Sequence, residues 1–201
     1  MPALRLRLAA CLIALPALLP APAAAQQYSE SYKFLNAVRD QDGNAVLEMV
    51  GRAGSSIVNT KDKSTGEGAL HILVRKDKPQ FLDYLLQQKA DPDIRDRDNN
   101  TPLILAATLG KTDLVPLLLK YGANPNAANS LGETPLIIAV QHRDLDTVRQ
   151  LVDKRANPDK TDNVGLSARA YAARDGRSPE IVKLLAGIAR QPTRAVAGPK
   201  F

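Results

Sequence analysis

Cysteine, tryptophan and histidine are nearly absent from this chain. Cys11 is the one cysteine, there is no tryptophan, and His71 and His142 are the two histidines. A lone cysteine excludes an internal disulfide framework and a Cys-rich metal site. Two isolated histidines give no Ser-His-Asp arrangement at informative spacing. Aromatics make up 4% of the residues, too few for the stacking platforms on which single-stranded nucleic acid is held. The apolar run from Leu8 to Leu19 is short and is interrupted by Pro16, which argues against a membrane span. Basic residues exceed acidic ones, 27 to 21, for a formal net charge of +6. That excess favours acidic partners and says nothing about the fold.

The first 25 residues read as a cleaved export signal. Arg5 and Arg7 make a positive start, Leu8 to Leu19 an apolar segment, and Ala23-Ala24-Ala25 the small residues before a cut at Gln26. The two arginines are not adjacent, which argues against a twin-arginine signal. Leu8-Ala9-Ala10-Cys11 imitates a lipoprotein box, but most of the apolar core follows the cysteine instead of preceding it. The expectation is therefore a periplasmic chain without cysteine, with a polar lead over residues 26–30. Removing Arg5 and Arg7 would lower its charge to about +4.

What is abundant is repetition. Gly66, Asn99, Gly132 and Gly165 are spaced by 33, as are Gly68, Thr101, Thr134 and Ser167. Pro92, Pro125 and Pro158 hold the same register inside Ala-Asp-Pro-Asp, Ala-Asn-Pro-Asn and Ala-Asn-Pro-Asp. A fixed period of this size means stacked copies of one small unit. Thr101-Pro102-Leu103-Ile104 and Thr134-Pro135-Leu136-Ile137 read as a helix cap, a first-turn proline and a buried stripe. On these residues the chain resembles the ankyrin-repeat family. The resemblance implies an all-α solenoid of about five helix-turn-helix units over residues 31–190. The units are expected near 31–62, 63–95, 96–128, 129–161 and 162–190, before a tail at 191–201. Between the first and second units the register slips by three residues, which predicts a longer first finger loop within Gly54 to Thr65. Pro116 falls inside a second helix and predicts a late start or a bend. Ser178-Pro179 reads as a cap and first helical residue.

Three local patterns imitate chemical sites. Gly110-Lys111-Thr112 lacks the upstream glycine of a phosphate loop, since Leu105 stands there. Asp91, Asp93, Asp96 and Asp98 lack the glycine and glutamate of a calcium loop and alternate with Arg95 and Arg97. These four read as a solvated hairpin tip. His71 occupies the histidine position of the ankyrin signature, where the resemblance implies a bridge between backbone turns. No catalytic residue, cofactor or metal site is expected.

By resemblance, partner recognition falls to positions that vary between units: finger tips, ends of first helices, and the residue before each Gly-Ala turn. These positions should line the concave face. They are Arg75, Lys76, Arg95, Arg97, Asn100, Leu109, Tyr121, Leu131, His142, Lys154 and Arg174. Leu109, Tyr121 and Leu131 would form an apolar centre, and the arginines would steer an acidic protein. The chain is expected to be monomeric and non-catalytic, a scaffold, stress-protection accessory or inhibitor. The alternatives are binding of a nucleic-acid or cell-wall polyanion, and a small hydrolase with an unrecognised site.

Overall fold

The computed structural model describes residues 22–53 and 55–189, with side chains described over 30–52 and 56–189. The expected signal segment up to residue 21, with Cys11, and the expected tail at 191–201 lie outside these residues. Among the described residues eleven helices form: α1 (Pro22–Asp40), α2 (Gly43–Ala53), a short α3 (Ser55–Val58), α4 (Ala69–Arg75), α5 (Pro79–Gln87), α6 (Pro102–Thr108), α7 (Val115–Lys120), α8 (Pro135–Gln141), α9 (Leu145–Asp153), α10 (Ala168–Asp175) and α11 (Pro179–Ala186). Among the described residues extended pairing is limited to two isolated bridges, Lys61 with Gly68 and Thr161 with Ser167. The all-α solenoid expected from the sequence is what forms.

Helix pairs stack as two layers. First helices α1, α4, α6, α8 and α10 pack directly on one another along the stack. Second helices touch less, chiefly α7 with α9 and α9 with α11. Closer spacing in one layer bends the stack, so the first helices line its concave side. Alanine makes that spacing possible. Ala106, Ala139 and Ala172 occupy equivalent buried positions, with Leu73 in the α4 slot. Between the layers lie Leu70, Leu82, Leu85, Leu103, Leu118, Leu136 and Leu151, all almost fully buried.

The caps follow the sequence. Thr101, Thr134 and Ser167 each accept the backbone N–H three residues on, at 3.3 Å in every case. Pro102 and Pro135 follow in the first turn, where a missing N–H costs little. Ser178 does precede α11, but its side chain makes no capping bond. Helix α7 starts late, at Val115, with Pro116 in its first turn and Thr112 to Leu114 as a preceding turn.

Two expectations need correction. Residues 26–30, expected as a polar lead separate from the first unit, are part of α1, in a stretch of alanine and glutamine that favours helix. The three extra residues before the second unit do not all lengthen a loop. Helix α3 absorbs part of the excess, and the first finger gains one residue, running from Asp62 to Gly66 where the next runs from Asp96 to Asn99.

The last pair differs in its core. Leu70, Leu103 and Leu136 recur every 33 residues, and the next member is Arg169. Its guanidinium meets Asp159 at 2.8 Å and 3.3 Å, and it donates to the carbonyls of Leu185 and Ile188. The side chain is 19% exposed and its partner 12%. A leucine there would bury apolar surface against the second helix. Arginine instead ties down the carbonyls at and just beyond the C-terminal end of α11, where Leu185 also accepts the Ile188 N–H.

Candidate recognition face

Each finger is built around an Asx residue at its base. The Asp96 carboxylate accepts the N–H groups of Asp98 and Asn100, at 2.9 Å and 2.8 Å. Asn129 does the same for Leu131 and Glu133, and Asp162 for Val164 and Leu166. In the longer first finger Asp62 accepts Ser64 and Thr65. The fourth residue of each shorter finger is left-handed: Asn99, Gly132 and Gly165, with φ of 60°, 79° and 81°. This turn chemistry belongs to short polar side chains and glycine.

Fingers are also bonded to one another. The N–H of Arg97 donates to the Thr65 carbonyl, that of Ser130 to Asp98, and that of Asn163 to Leu131. A second series runs through the Ala-Asx-Pro-Asx motifs. Asn59, Asp93 and Asn126 accept the backbone N–H of Asp91, Asn124 and Asn157 in the following unit. The acidic cluster is therefore only partly a solvated tip: Asp91 and Asp98 are exposed, and Asp93 and Asp96 are half-buried. Asp91, Asp93 and Asp96 hold backbone N–H groups, which is why carboxylates and amides interchange at these positions. Lys111 and Thr112 are likewise engaged, with Asp77 and Asp144.

His71 is buried and bridges two units, as its position implied. Its Nδ1 accepts the Gly68 N–H at 3.2 Å, and its Nε2 lies 2.9 Å from the Asn100 carbonyl. The carbonyl can only accept and the N–H can only donate, so the ring is neutral with its proton on Nε2. Burial pushes its pKa below the usual value, against the pull of the Asn100 carbonyl and of Asp96 and Glu67. Units three and four have Ile104 and Ile137 here.

The residues expected to recognise a partner do not converge on one patch. Tyr121 ends α7 in the second-helix layer, where its hydroxyl donates to Asp83 of α5 at 2.8 Å. Lys154 caps α9 in that same layer. Both are therefore on the convex side. Leu109 follows the C-terminal end of α6, whereas Leu131 sits on a finger, beyond the opposite end of the first helices. The expected apolar centre of Leu109, Tyr121 and Leu131 thus does not exist. Lys76, His142 and Arg174 are exposed at the C-terminal ends of α4, α8 and α10, on the first-helix layer as expected.

The arginines and Asn100 serve the scaffold as well as the surface. Arg95 donates to the carbonyls of Asn99 and, across to the next finger, of Ala128. Arg97 donates to the Lys63 carbonyl, and Arg75 pairs with Glu67 at 2.7 Å. Asn100 donates its side-chain amide to Asp96 while its carbonyl meets His71. Arg75 and Arg97 share one depression with Glu67, Asp96 and Asp98, so that part of the face holds more carboxylates than guanidiniums and is not basic.

The fingers expose a different apolar pair. Leu131 is 62% exposed and Val164, 33 positions later, is 78% exposed, at equivalent tips joined by the Asn163-to-Leu131 bond. Beside them Asp162 is buried and accepts the Tyr171 hydroxyl at 2.7 Å. Burial opposes its ionisation, but that bond and the finger N–H groups outweigh it and hold its pKa below the usual range. Tyr32 on α1 is also exposed, and lies beside Lys61 and Lys63 of the first finger. The 33-residue spacing could have paired Leu131 with Val164. Nothing in the sequence points to Tyr32.

A family model described as ankyrin repeats (3 copies) matches residues 34–129 and 110–194. A human protein, 2-5A-dependent ribonuclease, is 29% identical over 85 residues. That match covers 42% of this chain and 11% of the ribonuclease, so the chain spans only a small part of that relative.

Proposed function

The chain belongs to the ankyrin-repeat family, and from that premise we propose an exported, non-catalytic protein-binding module that seats its partner on the finger row. Ankyrin repeats are protein–protein interaction modules, and the family generally serves as a scaffold without chemistry of its own. The finer reading is a periplasmic monomer acting as scaffold, stress-protection accessory or inhibitor. Its support is the Arg5 to Ala25 signal pattern in the sequence. No described helix is long and apolar enough to cross a membrane.

One observation carries the binding reading: Leu131 and Val164 stand exposed side by side on finger tips that backbone bonds hold in place. Aliphatic side chains on a rigid rim lose little entropy on contact, which makes them anchors. The polyanion reading fits less well, because carboxylates interleave the bases around Arg75 and Arg97. The test is affinity capture from envelope extract with the chain lacking residues 1–25, followed by titration of the identified partner. Leu131→Asp with Val164→Asp should weaken that partner at least about tenfold. A partner bound equally well by the double variant would exclude the finger row.

A further inference from the structure

The depression that holds Arg75 and Arg97 has an in-register counterpart two 33-residue periods along the stack. Its lining residues Thr65, Glu67, Arg75, Asp96, Arg97 and Asp98 fall on Leu131, Glu133, Gln141, Asp162, Asn163 and Val164. Two of the carboxylates survive this shift, as Glu133 and Asp162. Neither arginine does: glutamine and asparagine stand in their places, and the rim turns aliphatic. In the earlier copy the fold itself shows what Glu67 takes, since the Arg75 Nε meets it at 2.7 Å. Gln141 carries no such cation. The half-buried Glu133 accepts the Asn129 amide on Oε2 at 3.1 Å, and its Oε1 has no donor among the described residues. Asp162 is met by neutral donors, the N–H groups of Val164 and Leu166 and the Tyr171 hydroxyl. Among the described residues no lysine or arginine pairs with either carboxylate. The Tyr171 hydroxyl feels both: its bond to Asp162 chiefly, and the Glu133 charge in smaller part, raise its pKa. The middle copy has Asn100 and Asn129 at the two acidic places, so this pair of carboxylates does not recur there.

We infer that Glu133, beside the exposed tips Leu131 and Val164, takes an arginine side chain of the protein partner, with an apolar neighbour of that arginine lying on the tips. The inference rests on the finger-row reading and names the chemistry of what binds there. The partner's guanidinium fills the role that Arg75 fills for Glu67. A guanidinium also fits better than an ammonium. Its planar fork can donate to the open Oε1, and it is more weakly hydrated, so it gives up less water beside aliphatic side chains. The sign is opposite to the one that the net charge of +6 favours. At physiological salt, exposed charges more than about 8 Å away are largely screened, so the carboxylates at the contact outweigh distant lysines.

The test titrates a capped peptide, acetyl-Gly-Leu-Arg-Leu-Gly-amide, into isotope-labelled protein. Saturable shifts are expected at the amides of Leu131, Glu133 and Val164, weakening as salt is raised. Glu133→Gln should weaken binding at least about tenfold, while Glu67→Gln changes it less than about twofold. Gln141→Arg gives Glu133 the cation that Glu67 already has, on an exposed residue. It should weaken binding as much as Glu133→Gln, and it guards against a misfolded finger. A peptide with glutamine for arginine should bind at least about tenfold more weakly, and one with lysine several-fold more weakly. No saturable shift, shifts centred elsewhere, equal binding of the glutamine peptide, or indifference to both Glu133→Gln and Gln141→Arg would overturn the subsite. So would tighter binding of a glutamate peptide, which would assign the site to an acidic partner. Lysine bound as tightly as arginine would overturn the guanidinium assignment. For the captured partner, Leu131→Ala with Val164→Ala removes the tips without adding carboxylates. A partner weakened by that pair yet indifferent to Glu133→Gln and Gln141→Arg would overturn the subsite alone. A peptide bound here, with a partner indifferent to the tips, would instead remove the finger-row reading.

Discussion

Lowering the pH should loosen the second and third units through His71 before Asp62, Asp144, Asp162 or Asp175 responds. In the folded chain the ring is buried and neutral, and its Nδ1 faces the Gly68 N–H. Protonation would set two donors against each other in a dry site and forfeit that bond. The folded pKa therefore lies below the unfolded value of about 6.5. Above about pH 6.5 neither state carries the proton, and the ring adds no pH dependence. Below it the unfolded chain gains a proton that the folded chain refuses. Stability then falls by up to about 1.4 kcal/mol per pH unit until the folded pKa is reached. Asp62, Asp144, Asp162 and Asp175 have folded pKa values held below 3.8, so their losses begin at lower pH. Urea unfolding followed by helix signal, from about pH 7.5 to about pH 5, would measure the slope. His71→Ile installs the residue of the next two units and leaves the Asn100 carbonyl and Gly68 N–H without the ring. It should cost about 1 to 3 kcal/mol at neutral pH, from two bonds of about 0.5 to 1.5 each, and abolish the slope. A flat wild-type profile, or an equal slope in His71→Ile, would refute the assignment of a neutral, bridging imidazole.

Two further perturbations probe the ends of the finger row and of the stack. Gly132→Ala and Gly165→Ala both place a side chain at left-handed φ, at about 1 to 2 kcal/mol each. A Cβ on Gly132 would also come within 2.7 Å of the Asn163 nitrogen, whereas Gly165 has open space. Gly132→Ala should thus be the more destabilising in urea, and equal losses would show that the fingers are not tightly docked. Arg169→Ala removes one partner of a mostly buried ion pair and the closure of α11. Hydrogen exchange should quicken in α11 and leave α6 and α8 protected, at a cost of about 1 to 3 kcal/mol, discounted for partial exposure. Exchange that quickens evenly along the stack would refute a local cap.

The solenoid was legible because packing repeats. Thr101 and Thr134 must cap, Pro102 and Pro135 must follow, and small residues must recur where first helices touch, so each leaves a mark every 33 residues. The recognition face was much less legible. The place of Tyr121 before Gly122 points to the concave side, yet its hydroxyl bonds Asp83, 38 positions away and out of register. Arg75 and Arg97 look like free steering charges in the sequence, and only folding brings Glu67, Asp96 and Asp98 beside them. Arg169 could have been found: it breaks the series Leu70, Leu103, Leu136. Its purpose could not, since the carbonyls it closes lie 16 and 19 residues away.

A polar side chain in this fold is more often a substitute for a backbone partner than a contact for a ligand. Short fingers leave N–H groups that neither helix nor sheet can satisfy, and unpaired buried donors are costly. Asp62, Asp96, Asn129 and Asp162 meet that need inside each finger, and Asn59, Asp93 and Asn126 meet it between units. Side chains spent this way cannot vary to suit a partner without loosening the stack. On the proposed reading, recognition is left to residues with no such duty, such as the exposed aliphatic tips Leu131 and Val164. A partner selected by so few groups must gain its specificity from their fixed spacing, which the finger-to-finger bonds maintain.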